Sequence, residues 1–278
     1  MFIWLASYPK SGNTLVRAML ASYFFSSNGN FNFDLLINIR QFPANHFFKK
    51  FGININDDNE MLKNYIEVQS RINNKSSVQF LKTHSSFNKF NNYSFTNLDN
   101  TLGVIYIIRD PRTLIESLSR HYQCSIEQSL DYMLKGLLLK RNKDHPMTIV
   151  GSWLENYKSW KSLNFDNRYM LVKYEDLIEK KEETFVKILK FIQRFSKSSI
   201  LIDRKKIENI LESTTFENMQ KLEKKFGFKE SPVDNNTGER IAFFKVGPKN
   251  KYKKVIDSKI IDKIETSFFK ELKDLGYL

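Results

Sequence analysis

One cysteine in 278 residues, Cys124, leaves no partner for an internal disulfide and no thiolate cluster for a metal, and it fits a reducing compartment. No apolar run approaches the ~20 residues that a membrane-spanning helix needs. The first apolar segment starts at residue 2, so no signal peptide is visible and a cytoplasmic protein is expected. Acidic residues are the scarcer charge: 31 Asp and Glu stand against 44 Lys and Arg, a formal net charge of +13. That balance favours anionic partners, although a compositional preference for lysine and asparagine gives the same excess. Hydrophobic residues reach 41%, which argues against global disorder and suffices for a core. With no internal repeat and no clear linker, a single domain over 1–278 is expected. The phosphate-loop string that places Gly-Lys-Ser/Thr after an upstream glycine is also missing.

What is present begins at the N-terminus. The apolar run Phe2-Ile3-Trp4-Leu5-Ala6 leads into Ser7-Tyr8-Pro9-Lys10-Ser11-Gly12-Asn13-Thr14, and helical spacing (Leu15, Val16, Ala18, Met19, Leu20) follows at once. A strand therefore ends, a tight loop carries one lysine and one glycine, and a helix begins. Such a loop turns backbone N–H groups toward a common point at a helix N-terminus, which suits a phosphate or sulfate.

Further along, the residues predict a strand over Val78–Thr83 and a stronger one over Gly103–Ile108, β-branched through most of its length. Asp110-Pro111 is an N-cap followed by proline at the first helical position, and the helix should reach Tyr122. Helices are expected over Glu60–Ile72, Ser125–Lys140, Thr148–Ser162, Leu177–Phe195, Arg204–Leu211, Thr215–Lys225 and Ile256–Leu272, with a strand over Arg168–Val172, loop and short helix over Asn28–Asn56, and irregular chain over Ser231–Tyr252. Strands separated by helices predict an α/β fold: a parallel β-sheet flanked by helices on both faces. Ligands of such sheets sit beyond the carboxyl ends of the strands, so Ser7, Lys82 and Arg109 should face one crevice. Lys10 with the loop amides offers one phosphate site, and Arg109, with Ser117 two turns along the next helix, offers another. His84 follows Lys82-Thr83, where a neutral imidazole can take a proton from an attacking hydroxyl or amine.

These elements resemble a known family. Ser7 to Thr14 looks like the 5′-phosphosulfate loop of sulfotransferases that use 3′-phosphoadenylyl sulfate (PAPS). Ile108-Arg109-Asp110-Pro111-Arg112 with Ser117 resembles their 3′-phosphate motif. Lys82-Thr83-His84 is similar to the segment bearing the catalytic base, and Lys173-Tyr174-Glu175-Asp176-Leu177 to the Tyr-Glu-Asp element. Thr214-Thr215-Phe216-Glu217-Asn218-Met219 resembles the adenine-contacting segment. Phe243-Phe244-Lys245-Val246-Gly247 and Tyr252-Lys253 look like an altered form of the late Arg-Lys-Gly-x-x-Gly-Asp-Trp loop. The elements come in the family's order and cover nearly the whole chain.

The resemblance implies a P-loop-like three-layer architecture and a transferase moving a sulfuryl group from PAPS, with adenosine 3′,5′-bisphosphate (PAP) as product and no metal. Lys10 would neutralise charge on the bridging oxygen, Ser11, Gly12, Asn13 and Thr14 would hold the 5′-phosphate, and Arg109 and Ser117 the 3′-phosphate. Lys245 and Gly247 would close over that phosphate, Tyr174, Thr214, Phe216 and Met219 would border the adenine, and His84 would be the base with Lys82 at the sulfonate. No carboxylate pair for Mg²⁺ lies near the loop, and in-line transfer through a loose transition state needs chiefly positioning and charge stabilisation. Leu15 stands where many members have tryptophan, Lys245-Val246 replaces Arg-Lys, Asn250 and Lys251 replace Gly-Asp, and the Lys-x-x-x-Thr-Val dimer motif has no match, which leaves the oligomeric state open.

Plainer roles compete at each position. Lys10 is also a fair turn lysine, Arg109 a partner for Asp110 or Glu116, and Phe216 with Met219 at i, i+3 ordinary core. His46, His121 and His145 are the other imidazoles, His121 at a helix C-terminus where a cation is comfortable. Trp153, Tyr157 and Trp160 read as a buried helix face. Two other functions share parts of the signal: an ATP-dependent small-molecule kinase, through the strand–loop–helix anion site, and a non-catalytic nucleic-acid-binding module, through the charge, although no nucleic-acid motif is present and no nucleic-acid partner is expected. The acceptor, a small molecule or a glycan, would be walled by Asn28–Phe51 and Lys135–Met147. Phe31, Phe33, Phe42, Phe47 and Phe48 hint at an apolar or sugar-stacking wall or at a loop packed on the core, and the nearby cations suit an acidic acceptor such as a polysaccharide.

Overall fold

The computed structural model describes residues 1–73, 78–196, 200–234, 236–245, 247 and 252–278. Four parallel strands form the central sheet: β1 (Phe2–Ser7), β2 (Gln79–Thr83), β3 (Thr101–Ile108) and β4 (Tyr169–Lys173), in the order β2-β1-β3-β4. Every residue of β1 is buried, as expected of a parallel strand covered on both faces. Its side chains alternate: Phe2, Trp4 and Ala6 join one core, Ile3 and Leu5 the other. Strand β3 does the same, with Val104, Tyr106 and Ile108 on the first side and Ile105 and Ile107 on the second.

The helices that bear on the site are α1 (Asn13–Phe25), α2 (Pro111–Tyr122), α3 (Trp153–Lys161), α4 (Tyr174–Glu179), α5 (Lys181–Gln193), α6 (Arg204–Ser213) and α7 (Phe216–Phe226). The first core takes Leu114, Ile115 and Leu118 of α2 and Trp153, Tyr157 and Trp160 of α3. The second takes Val16, Met19 and Leu20 of α1 and Phe185, Ile188, Leu189 and Ile192 of α5. Burying each such side chain contributes roughly 1.5–3 kcal/mol. The three expected layers are therefore present.

Chain order fixes where a ligand belongs. The connection from β1 leads to its neighbour on one side, β2, and the chain then crosses to the other side for β3 and β4. The reversal falls between β1 and β3, and open parallel sheets bind ligands beyond the strand ends at such a switch point.

Several expected elements differ. The helix begun at Ser125 runs Ile126–Lys135 and stops at Gly136, whose φ of 113° a side-chain-bearing residue rarely adopts. Leu137–Leu139 then pairs antiparallel with Thr148–Gly151, so the expected helices over Ser125–Lys140 and Thr148–Ser162 are each part strand. Helix α3 starts only after Ser152, whose side chain accepts from the Glu155 amide while the Glu155 carboxylate accepts from the Ser152 amide, a reciprocal cap that Ser-x-x-Glu spells out. The helix expected over Glu60–Ile72 breaks at Asn64. The one expected over Leu177–Phe195 starts earlier and is split into α4 and α5, and the C-terminal one divides at Phe268.

Candidate active site

The loop after β1 is shaped by two left-handed residues, Lys10 (φ 67°) and Gly12 (φ 99°). Glycine at 12 is required twice over. Its φ lies where L side chains are strained, and a Cβ there would stand 2.5 Å from Cδ2 of Tyr174. The Tyr174 ring therefore packs directly on the loop. Asn13 clamps the loop to the strand, donating through Nδ2 to the Leu5 carbonyl at 2.8 Å and the Ser7 hydroxyl at 3.2 Å. Helix α1 begins with no side-chain cap and no acidic residue in its first turn. Its N-terminal amides and partial positive charge thus stay available to an anion. The Ser11 hydroxyl is buried without a hydrogen-bond partner among the described residues.

Arg109 closes β3 and reaches across the switch point. Its Nη1 donates to the Lys10 carbonyl at 3.2 Å, its Nε to the Thr113 hydroxyl at 3.0 Å, and its guanidinium lies 4.6 Å from the Tyr174 ring centre. Neither Asp110 nor Glu116 pairs with it among the described residues. Asp110 instead caps α2 through the Arg112 amide (2.9 Å) and forms a 2.7 Å ion pair with Arg112. Arg112 is further held by Glu265 at 2.6 Å and the Tyr277 carbonyl at 2.7 Å.

His84 follows β2. Its Nδ1 lies 2.9 Å from the Ser7 carbonyl oxygen. A carbonyl only accepts, so Nδ1 carries the proton and Nε2 is left with a lone pair. Burial and the neighbouring Lys82 lower the His84 pKa to about 3, so the ring is neutral at physiological pH. Lys82 Nζ donates to Glu230 at 2.8 Å, and Glu230 also pairs with Arg17 of α1. Burial opposes ionisation of Glu230, yet the two cations outweigh it and hold its carboxyl well below the usual range. Lys10 has no such anion at contact distance among the described residues. Burial, Lys82 and Arg109 lower its pKa to about 7, and its Nζ rests 3.4 Å from the centre of the Phe243 ring. The centre is thus short of negative charge, as a site for a polyanion should be.

Of the expected donor-binding residues, Lys10, Gly12, Asn13, Thr14, Arg109, Ser117, Tyr174, Thr214, Phe216 and Met219 line one cavity of about 2380 Å³, together with Lys82 and His84. That is more than twice the ~300–1,000 Å³ of an ordinary ligand pocket. Ser11 lies beneath the lining. Lys245 is exposed, and Gly247 lies so that a Cβ would be 3.4 Å from the Phe216 ring. Thr214 spends its hydroxyl on the Ile210 carbonyl at 2.6 Å, and Met219 doubles as core. Leu15 also lines the cavity. Val246, Asn250 and Lys251 lie outside the described residues.

Sequence reasoning missed Arg17 and Glu230, and gave Phe243 and His121 no role in the site. Arg17 was signalled only as a charge inside an apolar helix. Glu230 had no signal, because its partners are 148 and 213 positions away. His121 is no comfortable helix-end cation: its Nδ1 is buried without a partner, and burial with Lys10 lowers its pKa to about 3. Of the five phenylalanines offered as an acceptor wall, only Phe33 lines the cavity; Phe31, Phe42, Phe47 and Phe48 are core.

Comparison with known proteins gives the family and the fold. A family model described as a sulfotransferase domain matches residues 2–276. Among solved structures, the chain is similar to the mouse sulfotransferase SULT7A1 complexed with PAP, at 16% identity over 98% of this chain and 84% of that one, with a TM-score of 0.58. It is similar to retinol dehydratase in complex with retinol and PAP, at 16% identity over 98% and 81%, with a TM-score of 0.63. At that identity the likeness to solved structures is one of fold. No curated protein matches the sequence.

Proposed function

The chain belongs to the sulfotransferase domain family, and from that premise we propose that it transfers a sulfuryl group from PAPS to a hydroxyl or amine, with Lys10, Lys82 and His84 carrying the step. The observation that carries the reading is the meeting of Arg109 with the Lys10 loop at the sheet's switch point, 3.2 Å apart. One cation-bearing anion loop and one guanidinium, side by side, suit a nucleotide with two separate phosphates. PAP in the similar solved structures supports the same choice of donor.

The residues fit that donor. The unpartnered Ser11 hydroxyl and uncapped α1 amides would hold the 5′-phosphate, and Arg109 with Ser117 the 3′-phosphate, with Lys245 and Gly247 closing from the late segment. Tyr174, packed on Gly12, and Phe216 with Met219 would border the base. PAPS supplies a sulfuryl group on an anionic leaving group. Lys10, uncompensated by a contacting anion, would stabilise charge where the bridging oxygen breaks away. His84 would accept the acceptor's proton at Nε2, held in that tautomer by the Ser7 carbonyl. Anionic ligands offset the Lys82 and Lys10 fields that depress its pKa, so the base strengthens as the site fills. Lys82, oriented by Glu230, would hold the sulfonate oxygens.

Calorimetric titration with PAP tests the reading. Binding in the micromolar range or tighter, weakened at least tenfold by Arg109→Ala, is expected. No binding at ~1 mM refutes it.

A further inference from the structure

The cavity extends well past the residues assigned to the donor, and the extension has its own chemistry. Residues 40–42 run beside the end of β2: the Lys82 amide donates to the Arg40 carbonyl and the Phe42 amide to the Lys82 carbonyl, both at 2.9 Å. This places Arg40 and Gln41 next to the stretch that ends in His84. Asn45 then ties the segment to residues 142–144. Its amide donates to the Asp144 carbonyl at 2.8 Å, and its Nδ2 to the carbonyls of Asn142 at 2.9 Å and Lys143 at 3.1 Å. Two carbonyl acceptors on Nδ2 fix the side-chain amide's orientation. Asn45 is only 2% exposed and lines the cavity, yet its Oδ1 has no partner among the described residues. A buried acceptor left without a donor is costly, and a ligand hydroxyl would satisfy it.

The rim around Asn45 is cationic. Arg40, Lys49, Lys140 and Lys143 are exposed and line the cavity, against Asp34 and Asp144. Over the whole lining, eleven lysines and arginines face four carboxylates. Apolar side chains are a minority in this half, chiefly Phe33, Ile37 and Leu139. A lipophilic phenol or alcohol with its one hydroxyl at the reaction centre would leave Asn45 Oδ1 without a donor, and a neutral sugar would gain nothing from the exposed cations.

Resting on the sulfotransferase reading, we propose that this half binds an acidic carbohydrate, its carboxylate or sulfate against Arg40 and Lys143 and one hydroxyl donating to Asn45 Oδ1, while another hydroxyl is the nucleophile. In the step, the acceptor O–H breaks and its proton goes to His84 Nε2. A new O–S bond forms as the S–O bond to the 5′-phosphate breaks, and the bisphosphate leaves with that electron pair. The product is a sulfate ester of the acid.

Three acceptors with radiolabelled PAPS test the proposal: a hexuronate oligosaccharide, its carboxyl-reduced neutral counterpart, and a lipophilic phenol. The uronate should show kcat/KM at least ~tenfold above both others, as expected for charge-assisted contacts. That advantage should shrink as salt rises from ~50 to ~500 mM. Arg40→Gln with Lys143→Gln, both at exposed positions, should bring the acidic-to-neutral ratio near parity. A neutral or phenolic acceptor equal to the uronate, no transfer to the uronate, or an unchanged ratio in the double variant overturns it. PAP affinity measured on the same preparation separates the failures. A protein that binds PAP but ignores the acidic charge refutes only the acceptor class; one that does not bind PAP refutes the sulfotransferase reading as well.

Discussion

Lys10 should take up a proton when a nucleotide bisphosphate binds. In the free protein its pKa is lowered to about 7 by burial, Lys82 and Arg109. At pH 8 it is therefore only ~10% protonated. A phosphate group beside it favours the ammonium, and a return toward the usual lysine value near ~10 leaves it almost fully charged. Uptake of ~0.9 proton per bisphosphate at pH 8 follows. The two histidines with pKa values of about 3 stay neutral at that pH, and the ligand's phosphates, with second pKa values near ~6, are already ionised. The sign is definite: the bound state holds the extra proton, so affinity falls as pH rises above 7. Between pH 7 and 9 the PAP Kd should rise roughly forty-fold, about 2.2 kcal/mol. Calorimetry at pH 8 in buffers of low and high ionisation enthalpy reads the uptake directly, with Lys10→Met as the control that abolishes it. Uptake below ~0.2 proton, or full uptake retained in Lys10→Met, refutes the reasoning.

Gly12→Ala places a Cβ on the Tyr174 ring at a φ of 99°; a cost of about 1–2 kcal/mol should lower Tm by a few degrees and raise the PAP Kd at least tenfold, and unchanged values in both would contradict the close packing. Glu230→Ala leaves Lys82 and Arg17 without their shared carboxylate; a loss of about 2–4 kcal/mol is expected in thermal or urea unfolding, with Glu230→Gln intermediate. His84→Ala should keep PAP binding within about threefold while transfer falls ~10²–10⁴-fold, and near-wild-type turnover would remove it as the base. In the free protein the lowered pKa of Lys10 costs folding stability, in full below about 7 and vanishing only as pH rises to the usual lysine value near ~10, so Lys10→Met should raise Tm at neutral pH even as it removes activity.

Legibility followed the range of the interactions. The first strand was legible in the apolar run of residues 2–6, which burial on both faces requires, and Asp110-Pro111 marked the start of α2 because capping is local. Element ends failed where one residue decides: Gly136 stops a helix expected to reach Lys140, and the Ser152–Glu155 cap starts one expected from Thr148. Most donor-side candidates were legible because they sit at a strand end or a helix start, while Ser117 and Met219 lie further along their helices. The acceptor half was not. Phe42 and Phe48, fully buried, and Phe33, on the cavity, are equally aromatic residues of one stretch without clear periodicity, and only tertiary packing sorts wall from core. Long-range pairs such as Glu230 with Arg17 leave no local trace.

The most direct measurement is a crystal structure with PAP bound. The 5′-phosphate should lie on the loop amides of Gly12 to Thr14 beside Lys10, and the 3′-phosphate on Arg109 and Ser117 of the same cavity. A nucleotide with one phosphate at Lys10 and the other away from Arg109, or one seated elsewhere on the molecule, would contradict the two-phosphate grip on which the assignment rests.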